Sequence, residues 1–390
     1  MHHEDGFSIV ELLLALLLTA TVTATIFALL HPASAVFPAQ TETSDLQQRL
    51  RVAADTLHRE LASVGSGASR GALAGPLVSR FAPVLPYRVV SNADPPGSFK
   101  TDTVTLIYVP DGAAEVMTDT PMAAVSGAVA VHTADGCAPV GLLCGFANGM
   151  NVLLYDDVGS FELFTVTGAN GSSLTLQHGS ADSTYVYQPG SALVQVVSRT
   201  YYLRRDPVMN ADQLMRADGN GGPDVPVVDH VVGLTFEYYG DPQPPALHGA
   251  SLGLAAAWTT YGPKPPPLGV QTTAYPPGEN CVFLEDGTST PAPRIGTLGA
   301  GGPTLARLTA AQLTDGPWCP SPLHPGRFDA DLLRVRRIGV TVRTQSGTAE
   351  RRGPAGALFT HGGTARSALG LVPDLEARFQ VAPRNLNLGR

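Results

Sequence analysis

Few side chains in this sequence are spaced for chemistry. Gly67-Ala68-Ser69-Arg70-Gly71 has the G-x-S-x-G spacing of a hydrolase nucleophile. That motif works where a strand precedes the serine and a helix follows, leaving the hydroxyl exposed on a tight turn. Here a helical pattern precedes it and a Gly-rich loop follows, so chance explains the match. No G-x-x-x-x-G-K-[ST] phosphate loop occurs. The ten histidines (His2, His3, His31, His58, His132, His178, His230, His248, His324 and His361) form no i, i+4 pair and no metal spacing. Asp218-Gly219-Asn220-Gly221-Gly222-Pro223-Asp224 offers oxygen ligands for calcium but lacks the acidic twelfth residue of an EF-hand loop. A hairpin turn explains it better. No catalytic residue, metal or cofactor is expected, and the chain reads as a non-enzyme.

Two other groups of residues carry chemistry of a different kind. Cys137 and Cys144 flank a turn holding Pro139 and Gly141, while Cys281 and Cys319 lie far apart. Four cysteines allow three connectivities. Nearest-neighbour pairing, Cys137 with Cys144 and Cys281 with Cys319, is the expectation. The shorter loop would be worth about 2.5 kcal/mol and the longer about 4 kcal/mol. Such bonds suit an oxidising compartment; without CxxC spacing or a nearby histidine, the thiols do not suit zinc. The second is Glu11, a carboxylate five residues into an apolar run. Inside a membrane such a group costs about 2.5–3.5 kcal/mol, so it needs a partner, a role or a place at the interface.

The element that positions Glu11 is long. Leu12 to Leu30 contains no charge, and extension back to Phe7 gives 24 residues with one. At ~1.5 Å per residue this helix reaches about 36 Å, enough to cross a bilayer core of about 30 Å. A secretory signal would have a basic start, a shorter apolar stretch and a small-x-small cleavage site. Met1 to Gly6 has no Lys or Arg, although Ala33-Ser34-Ala35 does follow the run. Leu46, Leu50, Ala53, Leu57, Leu61 and Val64 then form an amphipathic stripe. Arg49, Arg51, Asp55, Arg59 and Glu60 are assigned to the other faces. Thr41, Thr43, Ser44 and Asp45 read as cap-like, Pro32 and Pro38 as a kink between the halves, and Gly65-Ser66-Gly67 as the helix end.

Beyond Gly67 the pattern is that of strands: 103–109, 151–155, 161–167, 173–178, 192–204, 231–239, 337–343 and 375–381. Asn170-Gly171 signals a hairpin in a meander, with a further break at 157–159. Alternation with one polar face predicts half-buried antiparallel strands. Asp241 to Pro325 holds 16 prolines in 85 residues and reads as a loop insertion. The 390 residues carry 42 Gly, 33 Pro and only 15% charge, which excludes a mostly disordered chain. A net charge of −8 argues against nucleic acid. Lys100 and Lys264 are the only lysines, too few for a polybasic lipid anchor.

Gly6-Phe7-Ser8-Ile9-Val10-Glu11-Leu12 resembles the class III signal of the type IV prepilin family: a short hydrophilic leader, Gly, Phe, then Glu at the fifth mature position. Glu4 and Asp5 stand where such leaders usually carry Lys or Arg. The stretch from Gln47 to Gly67 further resembles the minor pilins called PilW and the minor pseudopilin called GspJ. The end of the chain, Val372 to Leu388, resembles more weakly that of a large-headed prepilin group. The resemblance implies a prepilin peptidase cutting between Gly6 and Phe7, N-methylation of Phe7, and pairing of Glu11 with the α-amino group of a neighbouring subunit. Expected partners are that peptidase, other pilins or pseudopilins and the inner membrane. The expected fold is α+β: leader 1–6, transmembrane helix 7–30, amphipathic extension 31–64 and a β-rich periplasmic head 65–390 with its insertion at 241–325. The expected function is a structural minor pilin near a type IV pilus tip, helping to initiate assembly. The alternatives are a minor pseudopilin of type II secretion and a non-polymerising membrane-anchored binding protein or adhesin.

Overall fold

The computed structural model describes residues 8–87, 99–123, 127–132, 143–156, 161–178, 186–208, 211–219, 222–242, 283–284, 292–293, 304–313, 330–352 and 372–388. It is an α+β protein with one long helix, α1 (Ile9–Ser63), and a mainly antiparallel β region. The strands follow in chain order: β1 (Val84–Leu85), β2 (Val104–Tyr108), β3 (Glu115–Thr118), β4 (Met122–Ala123), β5 (Gly127–His132), β6 (Asn151–Tyr155), β7 (Phe161–Asn170), β8 (Ser173–His178), β9 (Val186–Tyr187) and β10 (Ala192–Gln195). After them come β11 (Val197–Asp206), β12 (Ala211–Asp218), β13 (Val225–Asp229), β14 (Val231–Gly240), β15 (Phe283–Leu284), β16 (Ala292–Pro293), β17 (Ala306–Leu308), β18 (Val335–Thr344) and β19 (Leu375–Val381).

Two compact units share these elements. One comprises Met1–Arg51 with Arg343–Glu376, the other Val52–Val342 with Ala377–Arg390. In the first unit the buried carboxylate of Asp374 accepts from Arg343 Nε at 3.0 Å and lies 2.8 Å from its Nη2. Glu42 is held by the loop after β18. Its Oε1 accepts from Ser346 Oγ at 2.8 Å and the Gly347 amide at 2.6 Å, and its Oε2 from Thr348 Oγ1 at 3.3 Å. Burial raises the Glu42 carboxyl, but these hydrogen bonds outweigh it and hold the group below its ordinary value.

The second unit contains three main β assemblies. A five-stranded sheet runs β1-β2-β11-β12-β13. A closed barrel, β10-β3-β5-β8-β7-β6, is built entirely from chain lying between β2 and β11. A third sheet runs β17-β14-β18-β19. The barrel is filled by Val116, Val129, Val152, Leu154, Phe164, Leu174 and Leu193. Alternation along β7 and β8 sends these side chains inward, and Gly171 (φ 54°) makes the turn between them.

One local expectation needs correction. α1 is continuous helix through Pro32 and Pro38, although each proline removes one N–H from the ladder. Thr41, Thr43, Ser44 and Asp45 are consequently interior helix residues rather than a cap, with Asp45 pairing to Arg49 at 2.5 Å. The C-terminus is as expected. The helix stops at Ser63, and Gly65 takes φ 79°, which favours a residue without Cβ.

Candidate functional site

α1 begins with a local carboxylate contact. The Ser8 amide donates to Glu11 Oε2 at 3.0 Å, and the Val10 amide donates to Ser8 Oγ at 3.3 Å. This is a capping box, in which residues three apart satisfy amides that the first turn leaves unpaired. Ser8-x-x-Glu11 is its sequence signature. Gly6 and Phe7, the expected cleavage and methylation positions, lie outside the described residues.

From Ile9 to Ala28 the helix has a mean hydropathy of 2.2 and none of its residues is buried. Ile9 is 77% exposed and Phe27 67%. Each such side chain forgoes about 1.5–3 kcal/mol while in water, so an unbroken apolar cylinder requires a cover. Its polar groups are ready for an apolar one. The hydroxyls of Thr19, Thr21, Thr23 and Thr25 donate to the carbonyls of Ala15, Leu18, Thr19 and Thr21 respectively, at 2.7 to 3.0 Å. No hydroxyl of these four then needs water. By length and composition this helix can cross a membrane.

The other end of α1 is anchored. Ala53, Leu57, Leu61 and Val64 are fully buried, as the stripe predicts. Glu60, assigned from the sequence to an outer face, is turned inward. Its Oε2 accepts from Tyr108 Oη at 2.8 Å and its Oε1 pairs with Arg199 Nη1. Arg199 Nε also donates to Asp218 at 3.2 Å, and Arg216, two residues before Asp218 on β12, braces it from its own strand. Burial, then the Glu60 carboxylate, pushes the Tyr108 hydroxyl well above its ordinary value; Tyr201 beneath is raised for the same two reasons. One helix residue is thereby tied to β2, β11 and β12. Sequence could not reveal this, because a charged residue at the edge of a stripe reads as solvated.

The remaining candidates resolve as follows. Ser69 of the G-x-S-x-G match donates its hydroxyl to Glu115 at 3.2 Å, and the Ser69 and Arg70 amides donate to the same carboxylate at 2.9 and 3.1 Å. This is a loop clasp in which one carboxylate holds a hydroxyl and two amides. β12 and β13, on either side of the 218–224 stretch, pair antiparallel. Its Asp218 is held by arginines, and its Asp224 accepts from Tyr202. No group of three or more His, Cys, Asp or Glu suited to a metal occurs among the described residues. Cys144 is disulfide-bonded. Cys137, Cys281 and Cys319, and thus the pairing itself, lie outside the described residues, as does nearly all of the expected insertion at 241–325.

No family model matches the chain, nor does any curated protein or solved structure. The class defined here is an architectural one, an α+β chain with one membrane-length helix among the described residues, exposed at Ile9–Ala28 and buried against the β region at Ala53 to Val64.

Proposed function

We propose that this chain is a prepilin-type structural subunit, a minor pilin that enters a type IV pilus at or near its tip. On this reading it waits as a single-pass inner-membrane protein with its head in the periplasm. The observation that carries the proposal is the wholly exposed Ile9–Ala28 helix with Glu11 as its one charge, directly after Gly6-Phe7. In a filament, an apolar helix gains its cover from neighbouring helices, and Glu11 gains an ammonium partner in low dielectric. A minor pseudopilin of type II secretion would use the same residues in the same way. Disulfide-bonded Cys144 is consistent with an oxidising compartment.

The capping box favours a second reading, in which Glu11 serves only its own helix in an anchor that never polymerises. Two substitutions separate the readings. Glu11→Gln keeps the acceptor that a capping box needs but removes the charge; Glu11→Ala removes both. Neither change should impair membrane insertion, since the segment becomes more apolar, and processing at Gly6 should survive. If Glu11 pairs with a neighbour, both variants lose about 3–5 kcal/mol of docking energy. Both should then fall by two orders of magnitude or more in sheared filaments relative to membranes. Wild-type levels of Glu11→Gln in filaments that clearly contain the wild-type chain would leave the cap as its sole role.

A further inference from the structure

Three Asn-Gly pairs occur in the chain, at Asn148, Asn170 and Asn220. An asparagine before glycine can modify itself, because the glycine amide nitrogen is able to attack the side-chain carbonyl carbon and no Cβ shields it. Asn220 lies outside the described residues. Asn148 and Asn170 are both exposed, and both follow an alanine, so neither exposure nor the preceding residue separates them. Their backbones do. Asn148-Gly149 is stitched to β7. The Gly149 amide donates to the Val166 carbonyl at 2.8 Å, the Val166 amide donates back to the Met150 carbonyl at 2.9 Å, and the Met150 amide donates to the Ala147 carbonyl at 3.2 Å. Asn170-Gly171 instead closes the β7–β8 hairpin. Asn170 pairs with Ser173, so exposed Gly171 and Ser172 are the whole turn. In a two-residue turn the closing bonds join the flanking residues, and the turn's own amides face solvent. Gly171 takes φ 54°, and a Cβ built on it would meet nothing within 4 Å, so the approach to its nitrogen is open. Attack requires Asn170 to leave its extended backbone angle. At a hairpin end that opens one residue pair, whereas at Asn148 it breaks the bonds to β7.

We propose that Asn170 is a self-modification site, converting to aspartate and isoaspartate in the folded protein, while Asn148 is protected. The Gly171 nitrogen loses its proton and bonds to Asn170 Cγ; the Cγ–Nδ2 bond breaks and ammonia leaves. Water then opens the resulting ring. Addition at Cγ gives aspartate. Addition at the main-chain carbonyl carbon gives isoaspartate, whose backbone runs through the side chain. Nothing is oxidised or reduced. Either product adds one negative charge to the turn. Isoaspartate also lengthens the chain there, and the register of a hairpin depends on its turn. The proposal is independent of the pilin reading.

The test holds the full chain, in detergent, in mildly alkaline buffer made with heavy-oxygen water, beside a parallel sample unfolded in urea. Peptide mapping over time follows uptake of heavy oxygen at positions 148 and 170. In the folded protein Asn170 should convert about tenfold faster than Asn148, or more, the ratio set by a well-made hydrogen bond that must open first. In urea the two rates should converge, because the local sequences are alike. Equal rates in the folded protein, or conversion of Asn170 only in urea, would overturn the proposal. A tenfold ratio that persists in urea would overturn it as well, since the fold would then not be what selects Asn170.

Discussion

Arg199→Met should loosen the end of the long helix from the sheet beneath it. The guanidinium reaches the Glu60 and Asp218 carboxylates and lies 3.5 Å from the Tyr108 hydroxyl. Asp218 would keep Arg216, with contacts of 3.1 and 3.2 Å, whereas Glu60 would keep only the Tyr108 hydroxyl. The loss therefore falls on a carboxylate whose side chain is 12% exposed. Breaking a fully buried pair costs about 3–5 kcal/mol and an exposed one about 0–1 kcal/mol. With Arg199 at 26% exposure the expected cost is intermediate, about 2–3 kcal/mol. Urea unfolding followed by near-ultraviolet circular dichroism should show a lower midpoint at unchanged slope. Hydrogen exchange should speed up at Leu57 to Val64. Adding Glu60→Gln to Arg199→Met should recover part of the loss, because the orphaned charge is removed. A cost below about 0.5 kcal/mol for Arg199→Met would refute the reasoning and leave the pair as a surface contact.

Three further outcomes are expected. Glu42→Ala leaves the Gly347 amide without its acceptor and the Ser346 hydroxyl with the Thr348 carbonyl at 3.2 Å, and should cost about 2 kcal/mol, read as faster exchange at Gly347. Because the folded Glu42 carboxyl lies below its ordinary value, its contribution is present above the unfolded value and is lost as pH falls through the folded one; a Glu42→Ala variant should show a flatter acid limb in urea titrations. Gly65→Ala forces a side chain into φ 79°, with its Cβ 3.0 Å from Leu386 Cδ2, and should cost about 1–2 kcal/mol from the backbone alone. Burial pushes the Tyr155 hydroxyl up to about 12 and raises Tyr201 and Tyr238 as well. The stability they contribute is complete below about pH 10, the unfolded value, and declines as pH rises through the folded values. Absorbance at about 295 nm should therefore show tyrosines that ionise only with unfolding.

Much of the fold is written in periodicity. The strands at 151–155 and 173–178 have the predicted bounds, and the buried side of the amphipathic stripe is the predicted one. Partnership is not written there. The 192–204 run reads as one strand, yet it divides at Val196, with β10 closing the barrel and β11 joining the five-stranded sheet. Alternation records which face is buried but not which strand lies alongside. The strands at 115–118, 127–132, 211–218 and 225–229 were missed because alternation there is short or interrupted by Gly, Pro or charge. The inward turn of Glu60 is hidden for a related reason: its partners Tyr108 and Arg199 are 48 or more residues away, beyond any local pattern.

The prepilin reading stands or falls on one covalent fact. The protein should be extracted from bacterial membranes and its N-terminal peptide identified by mass. The account predicts a chain beginning at Phe7 with a methylated α-amino group, cut after Gly6. A chain that still begins at Met1, or one cut after Ala35, would contradict it.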